Sequence, residues 1–542
     1  MNLLIRCSVI CAILYGFAVG EILPYEKLKN EPKSLAKDYY IYRLADETKY
    51  NKSELAVLRN DVYRYKGKLA KKLDAILGAE KINKKCAGFG IKNILKADDA
   101  CKKVIINPNF ISRLSSKNRA VLLNELVKFP NLINLINGMN AKNPAIYFAD
   151  TLDVENYFIY FNSLSQKERE IKFNFELTPD FANALSQTYA FKGMLEDIVI
   201  KDKMQILAHS LLYINPANLG DEIAFLLGIN AVKFKSDDKA FGFFKAAAYN
   251  SKKIGISQNA KFWMYLINGD KTALKELANS DYYDIYSIIA KEKLGNRTLS
   301  VIIPKPSLNA PKNYDISDPF AWVKTKNKAD VANEAELKKM AMFFDTKATI
   351  GEYSYIMNKL NKKDNFYAMP FMEFIGTDDL RRQALILALA RQESRFVPSA
   401  ISTSYALGMM QFMPFVANDI AKKQGLAEFD QDNMFKPEVA YKFANIHLDY
   451  LENYLISPVF IAYAYNGGVG FTNRMLKNGL FDKKGKYEPY LAMELVPYAE
   501  SRDYAKKVLA NFVIYAQILG LKVSAEDEIL KLSSSEKSDK VR

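Results

Sequence analysis

Apolar residues recur at three- and four-residue spacing along most of this chain. In "SSKNRAVLLNELVKF" the spacing predicts a helix opened by Ser116. "TPDFANALSQTYAFKGML" predicts another, with Thr178 as its cap and Pro179 in the first turn, where a missing N–H costs nothing. "SQNAKFWMYLINGDKTALKELANSDYYDIYSIIAKEKLGN" predicts three short helices, broken at Gly269 and Asp281 and ending at Gly295. No run has the two-residue alternation of a half-buried strand. Residues 22 to about 300 therefore read as tandem amphipathic helices, stacked like a solenoid but without a fixed repeat length. Phe243, Phe244, Tyr249, Trp263 and Tyr265 fall at helical spacings and are expected in the core.

The pattern changes at 301–319, where "VIIPKPSLNAPKNYDISDP" holds four prolines and no helical period. This predicts a linker, followed by a short helical region to about 365. From 366 to 522 the chain is again apolar and helical. The end, "SSSEKSDKVR", is polar and is expected to be unstructured. The resulting segments are a leader (1–20), a helical stack (21–300), a linker domain (301–365), a second helical domain (366–522) and a polar tail (523–542). The 542 residues exceed what one core usually serves, in keeping with more than one domain.

The leader reads "MNLLIRCSVICAILYGFAVGE", with Arg6 its only charge before Glu21. Its apolar stretch is short for a membrane span, and small residues precede Gly20. It predicts a secretory signal cut after Gly20, the alternative being an uncleaved membrane anchor. No later apolar run is long enough to cross a bilayer, so no stable membrane span is expected after cleavage. Cys7 and Cys11 leave with the leader. Cys86 and Cys101 then face an oxidising compartment, which predicts a disulfide closing a short loop.

Formal net charge is +15. That fits an anionic partner (nucleic acid, anionic lipid or an acidic cell-wall polymer) or a lysine-rich solvated surface. Export removes the protein from nucleic acid, which is not expected as a partner. Only two histidines occur, His209 and His447, which argues against zinc sites and histidine triads. "GFG" at 88 lacks the rest of a phosphate-cradling loop. No metal or cofactor is expected.

One carboxyl stands out. In "LALARQESRF", Ile386, Leu389, Ala390 and Glu393 lie at helical spacing, so Glu393 continues an apolar face. Pro398 is expected to end the helix. Partial desolvation and the negative helix end both disfavour the ionised carboxyl, which suits a general acid. The alternative is a structural Glu paired with Arg391, Arg395 or a distant cation. "STSYALGMMQFMP" (402–414) follows as a loop and a Met-rich turn. "FIAYAYNGGVG" (460–470) ends a helix in Tyr465, Asn466 and a glycine pair, and "ELVPYAESRDYAKKVL" (494–509) sets Glu500 two residues before Arg502. Taken singly, each of these stretches is more often core or a surface ion pair.

Together, in this order, "ARQES", "QFMP", "AYNGG" and "PYAESRDYAKKV" resemble the catalytic domain of soluble lytic transglycosylases, which has a lysozyme-like fold. The resemblance covers about 380 to 515, and the N-terminal half is similar in pattern to the α-superhelical domain of the large periplasmic members. It implies an all-α protein with an N-terminal α-superhelical, ring-like domain, a helical linker domain and a C-terminal lysozyme-like domain. It further implies cleavage of peptidoglycan glycan strands between N-acetylmuramic acid and N-acetylglucosamine, with formation of a 1,6-anhydro ring, by a monomer in the periplasm. Glu393 matches the catalytic acid. Ser402, Gln411 and Met413 match groove positions, Tyr465 and Asn466 the tyrosine and asparagine of the Asn-Ala-Gly region, and Glu500 the acid of the Glu-Thr-Arg motif. The chain departs from the family at Ala440, Tyr441 and Ala444, at Gly467, and at Ser501. A lysozyme cutting the same bond, or a scaffold binding peptidoglycan without turnover, would share many of these features.

Overall fold

The computed structural model describes residues 22–542 apart from 48–50, 80–85, 87, 297, 307–309, 312, 362 and 364. The expected leader lies outside the described residues. The protein is all-α: it is 65% helical, with no sheet among the described residues. Extended pairing among the described residues is limited to isolated bridges such as Ile302–Phe366 and Leu407–Phe412. No described helix is long and apolar enough to cross a membrane. The chain packs into two compact units that cut across the segments read from its sequence. One joins Met1–Ala79 to Val301–Tyr450, the other Glu80–Ser300 to Leu451–Arg542.

In the first unit, the N-terminal helix Leu35–Glu47 is tied to a distant loop by a buried ion cluster. Arg43, only 1% exposed, donates to both oxygens of Asp430 at 3.0 and 2.7 Å. It also pairs with Asp432 at 2.9 Å. Tyr39 and Tyr40 donate to the two oxygens of Asp432 at 2.5 and 2.9 Å. Buried charge is tolerable here because every carboxylate oxygen has a donor. Next come Pro319–Val331, Glu334–Phe344 and Ile350–Asn361, which close a small core around Leu337, Met340, Phe344 and Ile356. The Leu380–Ser394 helix is buried from Ala384 to Arg391 on every side. It is thus a central helix and not an amphipathic one.

The second unit is helix upon helix. Thr178 caps Pro179–Ser186, as its spacing predicts. Ile254–Asn268, Lys271–Ala278 and Ile285–Lys293 are the three expected helices, stopping near Gly269 and Gly295. Ser115, one residue before the expected Ser116, caps Ser116–Glu125 and accepts from Asn118 N–H. Phe243, Phe244 and Trp263 are buried, but Tyr249 is 49% exposed, a correction to its expected core position. A disulfide joins Cys86 to Cys101. The long Ala499–Ile518 helix packs on Pro458–Gly467.

The tail is not unstructured. It forms Ala525–Leu530 and Ser535–Ser538, and Arg542 ties it down by donating to Asp539 at 2.8 Å and to Asp482 at 2.8 Å.

Candidate active site

Burial fixes the Leu380–Ser394 helix, so its last turn has little freedom. Asp379 caps its start, accepting from Arg381 N–H at 2.9 Å. Glu393 sits half-buried in the final turn. The helix ends because Arg395 and Phe396 both take left-handed backbone angles (φ 58° and 66°), earlier than Pro398 requires. Gly351 lies directly beneath this reversal. A Cβ there would meet the Phe396 carbonyl oxygen at 2.7 Å, so only glycine lets the Ile350–Asn361 helix support the turn after Glu393. Arg391 donates to Phe366 O at 3.3 Å, and its guanidinium lies 4.0 Å from the centre of the Tyr367 ring.

The loop that follows is joined to the same turn. Ser394 Oγ donates to Met409 O at 2.8 Å. Leu407 and Phe412 exchange backbone hydrogen bonds at 2.9 and 3.0 Å, making a tight reversal between them. Only glycine fits this reversal at position 408 (φ 77°), because a Cβ there would run into Met434 O. Ser402 turns its Oγ inward, accepting from Ser404 and Ala406 N–H at 3.2 and 2.9 Å. Gln411, itself left-handed at φ 50°, donates its amide hydrogens to Ala400 O and Gly408 O at 3.0 and 2.7 Å. Its Oε1 is then oriented as an acceptor. Met413, half-buried, heads the Pro414–Lys423 helix. Glu393, Ser402, Gln411 and Met413 thus all belong to one helix end and the loop bonded to it.

Tyr465, Asn466 and Glu500 belong to the other compact unit. Tyr465 is half-buried near the end of Pro458–Gly467. Asn466 Nδ2 donates to Glu500 Oε1 at 3.3 Å, while Ser501 Oγ donates to Asn466 Oδ1 at 2.6 Å. The partner of Glu500 is therefore Asn466 and not Arg502, whose guanidinium donates to Val496 O at 2.9 Å. Beside them Tyr498, half-exposed, stacks on Phe471 with ring centres 4.2 Å apart.

The departures from the family pattern on the Pro437–Glu452 helix are interior ones. Ala440, Tyr441 and Ala444 are fully buried, and Tyr441 donates to Pro370 O at 3.1 Å. They fill core and expose no new chemistry. Sequence reasoning missed Gly351 and Gly408, both of which shape the backbone next to Glu393. A glycine signals a close approach only when the neighbouring segment is known, and neither neighbour is near in sequence.

Residues 377–487 match the Transglycosylase SLT domain family. That segment includes Glu393, Ser402, Gln411, Met413, Tyr465 and Asn466; Glu500 lies beyond it. The chain is 30% identical to the soluble lytic murein transglycosylase of Salmonella typhimurium over 142 residues, 26% of this chain and 21% of the relative. It therefore spans about a fifth of that curated relative's length. Over nearly the whole chain the fold is similar to that of the lytic transglycosylase Slt of Pseudomonas aeruginosa, with a TM-score of 0.54 and 14% identity, covering 93% of this chain and 94% of the other. The 70 kDa soluble lytic transglycosylase of Escherichia coli is similar at a TM-score of 0.50 and 17% identity, covering 94% and 84%.

Proposed function

Because residues 377–487 belong to the soluble lytic transglycosylase family, we propose that this protein is a lytic transglycosylase acting on the glycan strands of peptidoglycan. One observation carries the reading: a half-buried carboxyl, Glu393, closes a helix buried on every side from Ala384 to Arg391 and lies inside the family-matched segment. The nearest matched carboxyls in sequence, Asp378 and Asp379, stand at the opposite end of that helix. At 1.5 Å per residue they are roughly 20 Å away.

Paired-carboxylate hydrolysis needs a second acid close by. A single acid suffices when the substrate assists. Glu393, in its acid form, donates its proton to the glycosidic oxygen as the bond from C1 of N-acetylmuramic acid breaks. The sugar's N-acetyl oxygen stabilises the positive charge that develops at C1. The Glu393 carboxylate then takes the proton of the C6 hydroxyl, whose oxygen bonds to C1 and closes a 1,6-anhydro ring. Glu393 ends the cycle as it began, and water is not consumed. Gln411 Oε1 would accept from a sugar hydroxyl or amide. Met413 would offer an apolar contact, and Ser402 would hold the loop in shape. Tyr465, Asn466 and Glu500 are proposed as substrate-holding groups on the family resemblance.

The protein acts in the periplasm in this reading, exported by the leader ending at Gly20. The Cys86–Cys101 disulfide supports an oxidising compartment. The test is Glu393→Gln, which keeps the shape and removes the proton. Turnover of purified sacculi should fall by about 10⁴-fold, the upper end for general acid–base catalysis, because one residue serves both steps. Glu500→Gln should cost less. Activity of Glu393→Gln within about tenfold of the parent would move the acid elsewhere.

A further inference from the structure

The loop that carries Ser402 and Gln411 is strained at one point. Tyr405 takes a left-handed backbone angle, φ 66°. A bulky side chain crowds its own backbone there, and glycine, asparagine or aspartate sits more readily. Such a residue persists only where its surroundings over-determine it. Tyr405 is 5% exposed, so its ring is held on nearly every side.

The hold comes from the start of the chain, within the same compact unit. Tyr39 and Tyr42, on the Leu35–Glu47 helix, each place a ring centre 5.9 Å from that of Tyr405. Lys68 lies in the first turn of the Gly67–Leu77 helix. Its Nζ stands 4.5 Å from the centre of the Tyr405 ring and 4.7 Å from that of Tyr42. One ammonium thus joins two rings by cation–π attraction. Arg64 adds a tie by donating to Thr403 O at 3.4 Å. Its own backbone N–H donates to the buried Asp38 at 2.8 Å.

The held turn leads to Gln411. Tyr405 N–H donates to Ser402 O, and Ser402 N–H to Ala406 O, both at 3.0 Å. Directly after this turn, Gly408 N–H donates to Ala400 O at 2.9 Å. Gln411 gives its amide hydrogens to the same two residues, at Ala400 O and Gly408 O. Relaxation of Tyr405 out of the left-handed region would shift Gly408 against Ala400 and turn Gln411 Oε1 with them.

We propose that Tyr405 is a positioning residue for the candidate active site, and that Tyr42 and Lys68 are the clamp that holds it. The N-terminal helices are then a working part of the site and not only its neighbours. The effect on turnover rests on the glycan-cleaving reading; the clamp itself does not.

The experiment compares five variants of the full-length protein. Tyr405→Asn suits the left-handed backbone but removes the ring, while Tyr405→Phe keeps the ring. Lys68→Met removes the charge and Lys68→Arg keeps it. Lys71→Met, at an exposed position on the same helix, is the control. The readouts are hydrogen exchange of peptides spanning 400–412, and kcat and KM on soluble, uncross-linked glycan strands. In Tyr405→Asn, exchange in 400–412 should be at least about tenfold faster, with exchange in the Leu380–Ser394 helix unchanged. KM should rise several-fold and kcat change less, because Gln411 holds sugar and moves no proton. Lys68→Met should shift both readouts in the same direction by about threefold or more. Tyr405→Phe, Lys68→Arg and Lys71→Met should match the parent. Unchanged exchange in 400–412 for Tyr405→Asn and Lys68→Met overturns the clamp, and so does faster exchange throughout the protein. Parental KM and kcat in Tyr405→Asn overturn the positioning role. A parent that cuts no glycan defeats the proposed function, and exchange then still decides the clamp.

Discussion

Glu352 offers a quantitative test of the first compact unit. It lies on the Ile350–Asn361 helix, fully buried. Tyr314 OH donates to its Oε1 at 3.2 Å, while Oε2 has no hydrogen-bond partner. Burial pushes its carboxyl up from the usual 4.5 to about 7, and the hydrogen bonds to its own backbone N–H and from Tyr314 only partly oppose this. Between these two values the folded protein holds a proton that the unfolded chain has released, so stability falls as pH rises through that window. One unit is worth about 1.4 kcal/mol, which puts the loss at about 3 kcal/mol. Glu352→Gln keeps the shape and the Tyr314 contact but cannot ionise. Trp322 packs edge-on against Tyr355 of the same helix, with ring centres 5.3 Å apart, and so reports on this unit. With the other tryptophan removed by Trp263→Phe in both proteins, urea titrations followed by Trp322 fluorescence isolate the effect. The variant should gain about 3 kcal/mol relative to its parent between about pH 4.5 and pH 8. Asp284, in the other unit, is also pushed up to about 7 by burial, but it is common to both proteins and cancels. A stability difference that stays constant with pH would refute the reasoning.

Two further substitutions test the packing that positions the candidate site. Arg43→Ala leaves the largely buried Asp430 and Asp432 side chains without their cation and should cost about 3 kcal/mol in the same fluorescence-detected unfolding. Gly408→Ala places a methyl against the Met434 carbonyl in a left-handed turn; glycan cleavage should drop well before helical circular dichroism changes.

Local chemistry was legible in the sequence wherever the decisive group was a near neighbour. Thr178 with Pro179, and the stops at Gly269 and Gly295, need only their own turn of helix. Glu393 was legible as the end of an apolar stripe, although the stripe proved to be one side of a helix buried all round. What escaped were features set by residues far along the chain. The N-terminal helix packs with residues after 301 because Arg43 meets Asp430 and Asp432, nearly 400 positions away. The tail looked too polar to fold, yet its charges are matched: Asp539 and Arg542 pair with each other, and Arg542 reaches Asp482. Ser402 and Gln411 could be aligned with a family motif, but their inward hydrogen bonds depend on a loop reversal that leaves little mark on composition. The Asn466–Glu500 contact joins two motifs that the sequence presents separately.

The most direct test of the central claim is the product formed from purified sacculi in water labelled with heavy oxygen, read by mass spectrometry. Attack by the C6 hydroxyl predicts 1,6-anhydromuramyl ends that carry no label. Reducing muramyl ends carrying one labelled oxygen as the main product would show that water is the nucleophile, and would contradict the single-carboxyl mechanism assigned to Glu393.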